Sequence, residues 1–232
     1  MNGAGRLTAR PGAEPRDERG EGALCAAPPA VGDSVLGLGR GGRDGLLHVP
    51  PRAIAGEPCP LVVLLHGAGS SARRGLDLLA SLADDRGLIL LAPDSRAPTW
   101  DVIAGGLGPD VAFLDAALER ACAALPVDPA RVALGGFSDG ASYALTLGLT
   151  NGDLFTHLIA FAPGFAAPPA YAGEPRVFVT HGTGDRVLPI DRCSRRLVPA
   201  LEAGGYDVIY TEFDGNHEVP RALAAAAVDW LG

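Results

Sequence analysis

The sequence predicts a three-layer α/β/α domain built on a mostly parallel sheet of about eight strands. Three observations carry that expectation. Short, unbroken apolar runs such as LVVLLH and LILLAP read as strands buried on both faces. Segments of helical periodicity lie between them, so consecutive strands are joined by helical crossovers that force parallel pairing. Gly (32) and Pro (20) are plentiful and fall between the runs, where turns are needed.

The segment up to residue 33 is rich in Gly, Pro, Ala and charge and reads as a flexible N-terminal extension, with a short edge strand at Leu7 and Thr8. The domain proper runs over residues 34–232. It opens with SVLGLGR and GLLHVP, two short apolar runs broken by GGRDG, a hairpin that supplies an antiparallel edge. A strand follows at 61–66, then one helix through SARRGLDLLASLADDRG with Leu78, Leu79 and Leu82 in helical register. LILLAP (88–93) is the next strand and DSRAPTWD the loop after it. Residues 110–125 form an amphipathic helix with Val111, Leu114, Leu118 and Cys122 on one stripe. RVALGGF (131–137) is a strand and ASYALTLGLT a helix. The last strands are HLIAFAP, RVFVTHG and YDVIYTEF, with a helix through RCSRRLVPALEAG and a closing helix over 219–231.

Composition narrows the partners. All 19 basic residues are Arg, and the net charge of −8 argues against nucleic acid or an anionic membrane surface, which need clustered cations. Cys25, Cys59, Cys122 and Cys193 are too widely spaced for a zinc site and read as free thiols. No apolar run reaches the roughly 20 residues of a membrane span. The first thirty residues carry charge throughout and lack the apolar stretch of a secretory leader, so a cytoplasmic location is expected.

The chemistry concentrates in four short motifs. In GGFSDGA, Gly136 and Gly140 flank Ser138 between a buried strand and a helix, the context that gives G-x-S-x-G its meaning. The glycines allow a sharp turn that exposes the hydroxyl at a helix N-terminus, where negative charge is favoured. A serine hydroxyl needs a base. Of His48, His66, His157, His181 and His217, only His217 follows the last strand, in DGNHEV, at the carboxyl end of the sheet beside Ser138. His181, at the end of the seventh strand, is its main rival. The orienting carboxylate is Asp185 in HGTGDRVLP, with Asp191 and Asp214 as alternatives on spacing alone. HGAGSSA (66–72) follows a buried strand and offers backbone N–H groups for an oxyanion, one from Ala68, with the other from Asp139 next to the serine.

Together LLHGAGS, GGFSDGA, HGTGDRVLP and GNH resemble the carboxylesterase/phospholipase branch of the α/β-hydrolase superfamily, which includes acyl-protein thioesterases; the likeness runs from about Val62 to Leu231. The resemblance implies an ester hydrolase with no metal and no organic cofactor. One departure stands out: the residue after the serine is often Gln in that branch and is Asp139 here, an acid beside the expected oxyanion.

The linker between Pro163 and Arg176 has 12 residues, too short for a cap domain, so an open cleft is expected, with Gly69, Trp100, Phe165 and Leu188 contributing to it. Small-molecule esters with a short acyl chain, roughly C2 to C6, or an aromatic ring then fit better than long lipid tails. The competing readings are a lysophospholipase or acyl-protein thioesterase, a serine peptidase, and a scaffold that has lost catalysis. The last is disfavoured because Ser138, Asp185 and His217 are all retained.

Overall fold

The computed structural model describes residues 4–12, 30–39 and 42–232. Eight strands form one sheet in the order β1-β2-β4-β3-β5-β6-β7-β8. β1 (Gly32–Val35) and β2 (Gly45–Val49) make the expected antiparallel hairpin, and β2 also runs antiparallel to β4 (Ile89–Pro93). All other pairings are parallel: β3 (Cys59–Leu65) with β4 and β5 (Val127–Phe137), then β6 (His157–Phe161), β7 (Arg176–Gly182) and β8 (Val208–Phe213) in succession. A short helix, α1 (Pro51–Ile54), links β2 to β3.

The strand alternation sorts the core into two layers. On β3, Leu61, Val63 and Leu65 face one apolar cluster while Val62 and Leu64 face the other, all fully buried. The first cluster takes the apolar faces of α4 (Pro109–Ala124), α5 (Asp139–Thr150) and α6 (Ser194–Ala203). The stripe of Val111, Leu114, Leu118 and Cys122 on α4 packs there as its spacing predicts. The second takes α2 (Ala72–Leu76), α3 (Ala80–Arg86) and α7 (Arg221–Leu231). Among the described residues no helix is long and apolar enough to cross a membrane. No helix is inserted between β6 and β7, in keeping with a fold without a cap.

Two local expectations need correction. The helix foreseen through residues 71–87 is two helices: α2 ends at Leu76, and Leu79, which caps the start of α3, leaves helical geometry with φ −130°. Leu79 thereby stays fully buried against the sheet while Leu78 and Leu82 turn partly outward. Leu7 and Thr8 form no edge strand. Their N–H groups go to side chains instead: Leu7 to Asn151 Oδ1 at 2.8 Å, Thr8 and Ala9 to Asp115 Oδ1 at 2.7 and 2.8 Å. Leu7 and Ala9 are buried, and Arg6 and Arg10 both pair with Asp153. Within the segment expected to be flexible, residues 4–12 are thus fastened to α4 through Asp115 and to the C-terminal end of α5 through Asn151 and Asp153. Residues 1–3 and 13–29, including Cys25, lie outside the described residues, so the expectation for them has no structural counterpart here.

Candidate active site

The turn from β5 into α5 brings Ser138 to the carboxyl edge of the sheet with φ 58° and ψ −121°, a left-handed conformation rare for a residue with a side chain. The chain folds so tightly here that a Cβ on Gly140 would lie 2.2 Å from the Leu65 carbonyl oxygen, and one on Gly136 2.6 Å from the Gly140 backbone. Only glycine fits either position. The turn is pinned by Ser138 N–H donating to the Phe161 carbonyl at 3.0 Å.

His217, in the loop after β8, lies with Nε2 2.9 Å from Ser138 Oγ, and its ring packs on Phe137 with centroids 4.6 Å apart. Its Nδ1 is 2.6 Å from Asp185 Oδ2. A carboxylate can only accept, so Nδ1 carries the proton and Nε2 is free to take one from the serine. Asp185, in the loop after β7, is buried, and its other oxygen accepts the N–H groups of Val187 and Leu188, both at 2.8 Å. Burial pushes the Asp185 carboxyl upward, but the Leu188 and Val187 N–H groups and the His217 ring outweigh it and hold the group below its ordinary value. Asp191 is committed to Arg195 at 2.7 Å and Asp214 is exposed, so of the three carboxylates weighed only Asp185 meets the histidine.

His181, the rival base, sits behind the acid with no exposure at all. Its Nε2 lies 2.8 Å from the Leu188 carbonyl and 3.2 Å from Asp185 Oδ2. Both are acceptors, so Nε2 carries the proton and Nδ1 accepts from the Ser194 hydroxyl at 2.7 Å. Burial holds this imidazole below its usual range and therefore neutral. His66 is also internal: Ser95 N–H donates to its Nε2, which leaves Nδ1 to donate to the Gly67 carbonyl at 2.7 Å. Among the described residues the N–H groups of Ala68 and Asp139 have no acceptor, and both flank Ser138. The Asp139 carboxylate accepts the Thr99 hydroxyl at 2.7 Å.

A cleft of about 790 Å³ opens over Ser138 and His217. It runs between the α2–α3 break and the start of α7, walled by Leu78, Leu82, Phe137, Val187 and Val219, with Arg74 and Arg221 also lining it. The residues expected there fare differently. Trp100 is only 1% exposed: its indole N–H donates to the His66 carbonyl at 2.8 Å and its ring stacks on Tyr143 of α5, so it belongs to the core. Gly69, Phe165 and Leu188 do not line this cleft; Leu188 instead packs toward Gly164 in the loop after β6. The wall residues Leu78 and Leu82 went unrecognised because their spacing is also that of a core stripe.

No family model matches the chain. It is 31% identical over 163 residues to a protein of Nocardia uniformis subsp. tsuyamanensis named "Putative esterase NocK", matching 64% of this chain and 46% of that protein. The chain therefore spans just under half the length of that relative. A second relative, "Probable feruloyl esterase C" of Aspergillus clavatus, is 24% identical over 216 residues, covering 82% of this chain and 76% of that one. Among solved structures, esterase PE8 superposes with a TM-score of 0.65 at 27% identity, over 81% of this chain and 96% of its own. The Bacillus cereus carboxylesterase superposes with a TM-score of 0.62 at 16% identity, over 83% and 94%. By its sheet order, its strand-to-helix serine turn and these likenesses, the chain has the α/β-hydrolase fold and is similar to esterases built on it.

Proposed function

We propose that this chain is a serine-dependent carboxylic ester hydrolase that works through an acyl-enzyme. The observation that carries the reading is the unbroken line of hydrogen bonds from Ser138 Oγ through His217 to Asp185, at 2.9 and 2.6 Å, beginning at a left-handed serine. In the first step Ser138 Oγ bonds to the ester carbonyl carbon and gives its proton to His217 Nε2. The carbonyl π electrons move to oxygen, where the N–H groups of Ala68 and Asp139 receive the charge. Collapse expels the alcohol, which takes the proton from His217. Water then repeats the sequence on the acyl-serine and releases the acid. Asp185 fixes the ring tautomer and stabilises the imidazolium formed in each half.

The substrate reading is a short-chain or aromatic ester. In its favour, the cleft is open, of a size suited to a small molecule, and lined in part by the apolar side chains of Leu78, Leu82, Phe137, Val187 and Val219. The name of the Aspergillus relative points to the aromatic side of that choice.

Two measurements test it together. A fluorophosphonate probe is expected to label the wild-type chain at Ser138, and Ser138→Ala is expected to lose the label and to lower kcat by about 10⁴–10⁶ while the chain stays folded. Retention of more than about a tenth of kcat in a clean preparation sinks the assignment. On p-nitrophenyl esters from acetate to palmitate, kcat/KM is expected to peak at short chains; a peak at C10 or beyond favours the lysophospholipase alternative.

A further inference from the structure

The loop between β4 and α4 touches both halves of the proposed oxyanion hole, and it does so with three consecutive residues. The Pro98 carbonyl accepts the N–H of Gly69, the residue after Ala68, at 2.7 Å. The Thr99 hydroxyl donates to Asp139 Oδ2 at 2.7 Å. The Trp100 indole donates to the His66 carbonyl at 2.8 Å, and its ring stacks on Tyr143 one turn into α5, centroids 5.2 Å apart and 17° between planes. Ala68 stands on the loop after β3 and Asp139 at the start of α5, so this segment bridges the two elements that carry the donors.

The segment is itself held at both ends. Asp110, buried in the first turn of α4, accepts the Arg96 N–H on one oxygen at 2.5 Å and the Asp101 N–H on the other at 2.7 Å. Arg96 lies 3.6 Å over the Phe113 ring of the same helix. The four residues 97–100 are therefore strung between two bonds to one internal carboxylate, which leaves the segment little freedom.

The same contacts resolve the difficulty posed by Asp139. A carboxylate one residue past the nucleophile would oppose the developing oxyanion if it faced the ester. Neither Asp139 nor Thr99 lines the cleft, whereas Ser138, Gly67 and Ala68 do. We propose that residues 98–100 form a brace that fixes the spacing of the Ala68 and Asp139 N–H groups, with Thr99 as the positioning residue that holds the Asp139 carboxylate away from the oxyanion. The proposal rests on the esterase reading given above.

The test compares kcat and KM on p-nitrophenyl acetate with the Ki of trifluoroacetophenone. That ketone adds reversibly to Ser138 Oγ: the serine proton passes to His217 and the ketone oxygen becomes an anion in the same two-donor site. Thr99→Val keeps shape and removes the hydroxyl; it is expected to lower kcat and weaken the ketone, each by about tenfold, with KM changed by less than about twofold. Thr99→Ser is expected to restore both. In an Asp139→Asn background the Thr99→Val loss is expected to shrink to below about threefold, because a neutral amide does not repel the oxyanion. Trp100→Phe, which deletes the bond to the His66 carbonyl and trims the ring stacked on Tyr143, is expected to lower the same two quantities to a lesser degree. A Thr99→Val chain within about twofold of wild type in kcat overturns the proposal, as does an equal loss in the Asp139 and Asp139→Asn backgrounds with Ki unchanged. A wild-type chain that neither cleaves the ester nor binds the ketone sinks the esterase reading itself; failure of the Thr99 arms alone leaves that reading standing.

Discussion

On one flank of Ser138 the Asp185 carboxylate receives four donors, from Val187, Leu188, His217 and His181. On the other flank the cleft is bordered by Leu78, Leu82 and Val219, and by the exposed Arg74 and Arg221. The first flank is a closed, internal network whose every member is fixed by the next. The second is a solvent-facing surface of mixed apolar and basic groups. On the proposed esterase reading, rigid geometry is concentrated where a proton would move along a set line, and latitude where a substrate would enter.

That contrast is most sharply broken at the acid. Asp185→Asn is expected to lower kcat by about 10²–10⁴, because an amide cannot hold His217 in the required tautomer or offset its charge. Asp191→Asn and Asp214→Asn are expected to stay within about threefold of wild type, since both sit at the surface. Steady-state kinetics on one ester, run on all three variants, decides it. Comparable losses at Asp185 and Asp214 mean that the acid has been misassigned.

A smaller effect concerns the second histidine of the network and shows in stability rather than turnover. His66, His157 and His181 are each held below their ordinary range, chiefly by burial. Above pH about 6.5 these rings are neutral in folded and unfolded chains alike, so their full contribution is present. Below that pH the unfolded chain takes up protons first, and stability falls. Asp185, depressed in the folded state, adds a loss of the same sign once the pH drops below about 4. The melting temperature is therefore expected to fall from pH 6.5 toward 5, and His181→Gln, which can still donate to the Leu188 carbonyl, is expected to lessen that slope at a cost of about 1–3 kcal/mol at neutral pH. A melting temperature that rises between pH 6.5 and 5 contradicts this account.

The open flank carries the smallest effects. Leu78→Ala and Leu82→Ala are each expected to lower kcat/KM for an aromatic ester several-fold, by removing apolar contact worth about 0.8 kcal/mol per methylene. Phe165→Ala is expected to change it by less than about twofold, because Phe165 stands outside the cleft. Reversal of that order returns the acyl site to the loop after β6.

How much of this could be read from the sequence follows the same division. The eight strands and the candidate serine, acid and base are written in local patterns: an unbroken apolar run, a glycine two residues to each side of Ser138, a histidine after the last strand. The acid is the least definite of these, since Asp191 and Asp214 share its spacing. The cleft wall is not local. Whether Leu78 packs on the sheet or borders a cavity depends on a helix break two residues earlier and on the placement of α7, some 140 residues away along the chain. Trp100 deceived for a related reason. A tryptophan in a loop beside the site invites a binding role, yet its indole N–H is taken up by the His66 carbonyl and its ring by Tyr143. The docking of residues 4–12 was equally hidden, since Asn151 and Asp115 accept backbone N–H groups that ordinarily signal a strand only when another strand accepts them.

The left-handed backbone at Ser138 bears on how the chain would respond to selection. A side chain held at φ 58° stores strain on the order of 1 kcal/mol, which glycine would release. On the esterase reading, a library sorted only for survival of heating thus rewards Ser138→Gly, a chain expected to endure longer and turn nothing over. Breeding a hardier form requires a second sieve for turnover, because at this one position endurance and chemistry pull the population apart.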